Sequence, residues 1–88
     1  MILFFIKNIE TFPKNEFQIF NRYGKLVWRG YNYNNLQNTF TGKANVQGVY
    51  NSNDYLPTAT YFYVLTYFDM YRNENKEVKG FLQLNNNQ

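Results

Sequence analysis

Apolar and polar residues alternate with a period of two over several short stretches of this chain, the spacing of β-strands, and no stretch sustains helical spacing. Residues 16–20 (EFQIF) place Phe17 and Ile19 on one face, and residues 25–29 (KLVWR) place Leu26 and Trp28 on one face of their own strand. Between them Asn21-Arg22-Tyr23-Gly24 reads as a tight hairpin turn, with Gly24 supplying the positive φ of a type I turn plus bulge. Residues 59–68 (ATYFYVLTYF) form the strongest strand, and neither of its faces is polar. Such a strand is central in a sandwich, or else it displays Tyr61, Tyr63 and Tyr67 on its outer face.

The remaining segments are weaker. Residues 1–6 (MILFFI) predict a first strand, continuing the β-rich run 3–9 and ended by the turn cluster Thr11-Phe12-Pro13-Lys14-Asn15. Residues 30–55 are Asn-rich, hold Gly42 and Gly48, and predict loops with one or two short strands. Residues 69–76 read as a charged connection, and residues 77–84 (EVKGFLQL) as a last strand with Leu82 and Leu84 on a shared face. Short strands separated by turn signals predict an all-β fold, a small antiparallel Ig-like β-sandwich of about six to eight strands. Residues 1–84 would be one domain and residues 85–88 a polar tail.

Composition narrows what such a domain does. With 88 residues and no cysteine, one small core must hold the fold without disulfides or a thiolate metal site. Aromatic residues, 22% of the chain, are the available substitute, since each large ring buries roughly 150–250 Å². Histidine is absent too, which removes the usual general base, the commonest metal ligand and the centre of Ser-His-Asp chemistry. Six carboxylates nominate no glycosidase-like pair, and Asp54 and Asp69 lack the spacing of a calcium loop, so they read as solvated loop carboxylates. The net charge of +3 is spread from Lys7 to Lys79 without a basic run, which argues against nucleic acid. The apolar start is too short for a membrane span or a signal-peptide core. No catalysis, cofactor, metal or membrane insertion is expected; the domain is recognised, or it holds on to something.

The hairpin is also where the chain becomes recognisable. Residues 17–28 (FQIFNRYGKLVW) resemble the IFNRWG-x-x-V hairpin of the gliding-motility-associated C-terminal domains, the type B sorting domains of the type IX secretion system of Bacteroidetes. Phe5-Ile6-Lys7-Asn8-Ile9-Glu10 with Phe12-Pro13 resembles that family's opening F-x-I-x-G-I-E-x-[FY]-P. Leu56-Pro57-Thr58-Ala59-Thr60-Tyr61-Phe62-Tyr63-Val64-Leu65 resembles its LP-x-GTYYYVL, and Lys79-Gly80-Phe81 resembles the GW or GF that opens its last strand. Four motifs in the right order cover nearly the whole chain.

Some positions depart from the pattern. Tyr23 replaces Trp, Ala59 stands where Gly is usual, and Phe40-Thr41-Gly42 lies where W-D-G is common, without the acidic residue. The tail after Leu84 is longer and richer in Asn. The usual Asn-Gly-Asp-Gly segment does not precede the first strand, so the chain is expected to be a C-terminal piece of a larger secreted protein.

The resemblance implies a C-terminal sorting signal recognised by the type IX translocon together with a PorP/SprF-like outer-membrane protein. The parent protein would pass through the periplasm to the cell surface or the medium. Candidate partner-binding residues are Asn21, Arg22, Tyr23 and Gly24 in the turn, Tyr61 and Tyr63 on the long strand, and Lys79 and Gly80. The turn residues and the tyrosines have plainer readings as well: turn chemistry for the first four and a second packed face for the tyrosines. Arg22 ranks first because a guanidinium pairs with carboxylates bidentately. A surface adhesin or carbohydrate-binding sandwich with a tyrosine platform is the alternative function. An exposed sheet edge leaves the oligomeric state open.

Overall fold

The structure, a computed structural model, describes residues 4–85. Its strands are β1 (Asn15–Phe20), β2 (Leu26–Tyr31), β3 (Ala59–Asp69) and β4 (Glu74–Leu84), preceded by a 3-10 turn at Ile9–Thr11. They form one antiparallel sheet in the order β2-β1-β3-β4.

Strand alternation gives this sheet an inner and an outer face. Phe17 and Ile19 of β1, Trp28 of β2, Tyr61 and Leu65 of β3, and Leu82 and Leu84 of β4 point inward and are buried. Phe17 is the hub, with ring centroids 4.9 Å from Tyr33, 5.3 Å from Phe4 and 6.0 Å from Trp28. Aromatic packing therefore takes the place of disulfides, as the composition requires.

The expected sandwich of six to eight strands does not form. What covers the inner face is the long connection 32–58, which must pass over β1 to carry the chain from β2 to β3. It buries Tyr33, Phe40, Ala44 and Leu56. Its one trace of a second sheet is an isolated bridge, Lys43 to Tyr55, flanked by bonds from Ala44 N–H to Asp54 C=O and from Leu56 N–H to Gly42 C=O. Residues 42–57 contain Gly42, Gly48, Asn45, Asn51, Asn53 and Pro57, so no apolar alternation runs long enough to extend that ladder. The second layer is coil.

The predicted first strand is also absent over residues 4–9, while residues 1–3 lie outside the described part. Backbone groups here are satisfied by side chains and coil. Ile6 donates to Asn35 Oδ1 at 2.9 Å and accepts from Asn35 Nδ2 at 2.8 Å, Phe4 N–H bonds Phe40 C=O, and the Tyr33 hydroxyl donates to Phe4 C=O. Asn8, at φ 66°, then turns the chain into the 3-10 turn.

Asparagine does much of the work that ladders do elsewhere. The buried Asn15 amide donates to Phe12 C=O and Tyr33 C=O while accepting from Tyr33 N–H. Every non-glycine residue described with positive φ is Asn: Asn8, Asn32, Asn53 and Asn73. Strand β4 starts earlier than the charge pattern predicted, at Glu74 rather than Glu77, because Asn73 takes φ 56° and Asp69 Oδ1 accepts from Tyr71 N–H and Arg72 N–H, closing the turn. Of the predicted polar tail, Asn85 follows β4 without regular structure and residues 86–88 lie outside the described part.

Candidate functional site

The β1–β2 turn is built as its sequence predicts. Gly24 N–H bonds Asn21 C=O at 2.9 Å, Asn21 N–H bonds Lys25 C=O at 2.9 Å, and Gly24 takes φ 81°. The buried Asn21 side chain locks it, its Oδ1 accepting from Tyr23 N–H at 3.0 Å and Lys25 N–H at 2.9 Å. Val27 is the extra residue of a bulge, since Ile19 pairs with Trp28 and Phe20 with Leu26, so Leu26 and Trp28, expected on one face, lie on opposite faces of the sheet.

With the backbone fixed by Asn21 and Gly24, Arg22 and Tyr23 are free to present themselves. Arg22 Nη2 donates to the Tyr23 hydroxyl at 2.8 Å, and its guanidinium lies 4.9 Å from the ring centroid. Tyr23 is 73% exposed. The pair forms a charged, aromatic projection at one end of the sheet.

Beside it, the outer face carries an apolar row across all four strands. Leu26 pairs with Phe20, Phe20 with Phe62, and Phe62 with Phe81. The Phe62 and Phe81 rings are 4.9 Å apart, and Phe81 is 69% exposed. A groove of about 440 Å³ runs along this row, lined by Phe20, Gly24, Phe62, Tyr63, Val64, Lys79, Gly80 and Phe81. The next rows turn polar: Arg29, Gln18, Val64 and Lys79, then Tyr31, Glu16, Thr66 and Glu77. Arg29 and Glu16 form a 3.1 Å ion pair there, a partly exposed contact of small energetic weight.

Of the residues singled out in the sequence, Gly24, Tyr63, Lys79 and Gly80 meet at this groove, with Asn21, Arg22 and Tyr23 in the adjoining turn. Tyr61 is elsewhere. It is 2% exposed on the inner face, donates to Pro57 C=O at 2.7 Å, and burial, with a further contribution from Tyr50, pushes its phenol up to about 12. The Tyr63 ring also lies inward, against Phe4 and Phe17, and Tyr67 packs on Phe12 at 4.5 Å. The tyrosine face is thus the packed face of β3.

Phe20, Leu26, Phe62 and Phe81 are the surface residues that sequence reasoning missed. Only the strand register reveals them. Even-numbered β3 residues pair with Glu16, Gln18, Glu77 and Lys79, whereas odd-numbered ones pair with Phe17, Ile19 and Leu82. The polar neighbours mark the even face as outer.

Histidine and cysteine are absent from the sequence, and among the described residues no group of three or more acidic residues could hold a metal ion. The described residues contain no helix long and apolar enough to cross a membrane. Comparison with curated proteins and with solved structures returns no match. The model of one family, the CHU_C type IX secretion signal domain, matches residues 3–84. Ordered motifs, turn geometry and family match agree, and the chain belongs to this family of non-catalytic C-terminal signal domains, which the type IX secretion system recognises.

Proposed function

We propose that this signal domain engages the translocon through the end of its sheet where the β1–β2 turn meets the apolar row, and that its direct partner is a PorP/SprF-like outer-membrane protein. As a type IX signal domain the chain interacts with the secretion machinery and directs transit through the periplasm to the surface or the medium. The finer reading is supported by one observation: the exposed Phe81 and Phe62 and the half-buried Phe20 form a row along a groove that reaches Gly24, next to the Arg22–Tyr23 projection. An exposed aromatic cluster flanked by a guanidinium is the composition of a binding hot spot. Arg22 and Lys79 would meet carboxylates of the partner, Tyr23, Phe62 and Phe81 its apolar groups, and Asn21, Gly24 and Gly80 would hold the surface in shape. Tyr61 and Tyr63 would support it from the inner face. The choice of a PorP/SprF-like partner rests on the likeness of the four motifs to type B sorting domains.

The test is a fluorescent protein with a periplasmic export signal, fused ahead of this domain and expressed in a gliding bacterium with and without the secretion system. Export that needs the system and is lost on Phe81→Ala or Arg22→Ala supports the reading. Export of both variants at the unsubstituted level places the docking surface elsewhere. Deleting the PorP/SprF-like protein tests the partner separately.

A further inference from the structure

The two edges of the sheet are treated differently. Along β2, the Asn45 side chain accepts from Arg29 N–H at 2.8 Å and donates to Arg29 C=O at 2.7 Å, as a neighbouring strand would. Asn45 N–H and Val46 N–H both bond Val27 C=O, and Asn38 Nδ2 bonds Tyr31 C=O. This edge is closed. Along β4, among the described residues, no loop or side chain takes the same place.

Which β4 groups are open follows from the phase of the ladders. Phe68 N–H bonds Lys14 C=O, so even-numbered residues of β3 turn their backbone groups toward β1 and odd-numbered ones toward β4. The β4 partners of Tyr63 and Leu65 are Gly80 and Val78, so even-numbered β4 residues face β3. Asn75, Glu77, Lys79, Phe81 and Gln83 therefore turn their N–H and C=O groups to the free edge.

We propose that this edge pairs with the same edge of a second copy, antiparallel, with Val78 opposite Val78 of the second copy. Two identical edges must pair odd residues with odd residues, or no hydrogen bonds form. Centring on Lys79 opposes Lys to Lys, and centring on Glu77 opposes Glu to Glu, both unfavourable. Centring on Val78 sets Glu77 opposite Lys79 of the second copy, and by symmetry Lys79 opposite its Glu77. Within one copy these two side chains already lie 3.8 Å apart on the exposed outer face, so both are placed to reach across. The same register sets Val78, 42% exposed, against its equivalent on the inner face, beside a groove lined by Phe4, Phe5, Leu65 and others. The charges that guard the edge against other strands thus complement one another in this register. A continuous eight-stranded sheet results, with the two outer faces on the same side.

Sedimentation equilibrium of the 88-residue protein, a 10.7 kDa chain, tests this without reference to the translocon. A concentration-dependent dimer is expected. Lys79→Glu and Glu77→Lys should each weaken it about tenfold, because both cross-strand pairs become like-charged. An equimolar mixture of the two variants should dimerise like the unsubstituted protein, because opposite charges face each other again. Circular dichroism of each variant checks the fold. A protein that stays monomeric at all concentrations, or a dimer indifferent to both substitutions, overturns the proposal; the former leaves β4 as an edge for a strand of another protein.

Discussion

The Tyr63 ring lies across Gly80 on the neighbouring strand, so close that a β-carbon at residue 80 would sit 2.5 Å from the phenolic oxygen. The ring also touches Phe17 and Phe4, with centroids 5.7 Å away in each case. A glycine on one strand thus lets an aromatic side chain on the next close over the core.

Gly80→Ala should therefore displace the ring and cost about 1–2 kcal/mol. In a Tyr63→Ala background the same change should cost nothing measurable, because the obstruction is gone. Urea denaturation of the four proteins of this cycle measures the coupling. Equal costs in both backgrounds would show that the ring does not constrain residue 80.

The β1–β2 turn depends on one buried acceptor. Asn21→Ala leaves Tyr23 N–H and Lys25 N–H without Oδ1 and should cost about 1–2 kcal/mol, whereas Asn21→Asp keeps an acceptor and should cost less. Gly24→Ala, at φ 81° with open space around it, should cost about 1 kcal/mol through backbone strain alone. Thermal or denaturant unfolding of the three variants checks this order.

On the proposed docking surface, export and stability should separate at Phe81. Because the ring is largely exposed, Phe81→Ala should cost about 1 kcal/mol or less, chiefly its contact with Phe62, while lowering export of a fused reporter about tenfold. Leu82→Ala, on the same strand but buried, should do the reverse to first order, costing about 2–5 kcal/mol. Secretion assays paired with unfolding curves distinguish the two.

Alkaline conditions should destabilise the domain in a defined window. Burial raises the Tyr61 phenol to about 12 and also raises that of Tyr33, against which a hydrogen bond from Phe40 N–H acts in the lowering direction. A group whose folded pKa lies above its unfolded value stabilises fully below the unfolded pKa, near 10 for tyrosine. That stability is lost as pH rises toward 12, since the unfolded chain releases its proton first. Denaturation midpoints should be level up to about pH 9 and fall above about pH 10, and Tyr61→Phe should reduce the fall.

Local features were legible in the sequence for a physical reason: they depend on neighbours in the chain. Asn21 and Gly24 determine their turn through positive φ and a side-chain acceptor two and four residues away. The hairpin strands and the long β3 follow from alternation and β-branched or aromatic content, except that the Val27 bulge puts Leu26 and Trp28 on opposite faces, and the four family motifs lie largely on these same elements. The apolar run at the N-terminus misled because its partners are side chains. Asn35 and Tyr33, distant in sequence, take the hydrogen bonds that a ladder would have taken.

By itself, then, the sequence determined an all-β domain without histidine, cysteine or disulfides and with an ordered set of sorting-signal motifs. Only the tertiary structure decided which face of β3 looks outward, because that strand is apolar on both sides. Its register against Phe17 and Ile19 on one face and Glu16 and Gln18 on the other breaks the tie. The structure also decided that coil, and not a second sheet, covers the core: residues 32–58 lack the alternation to form strands but carry enough buried aromatic and aliphatic side chains to seal one face. Among the described residues the other face stays open, and the Phe20–Phe62–Phe81 row emerges there only when β1, β3 and β4 are laid side by side.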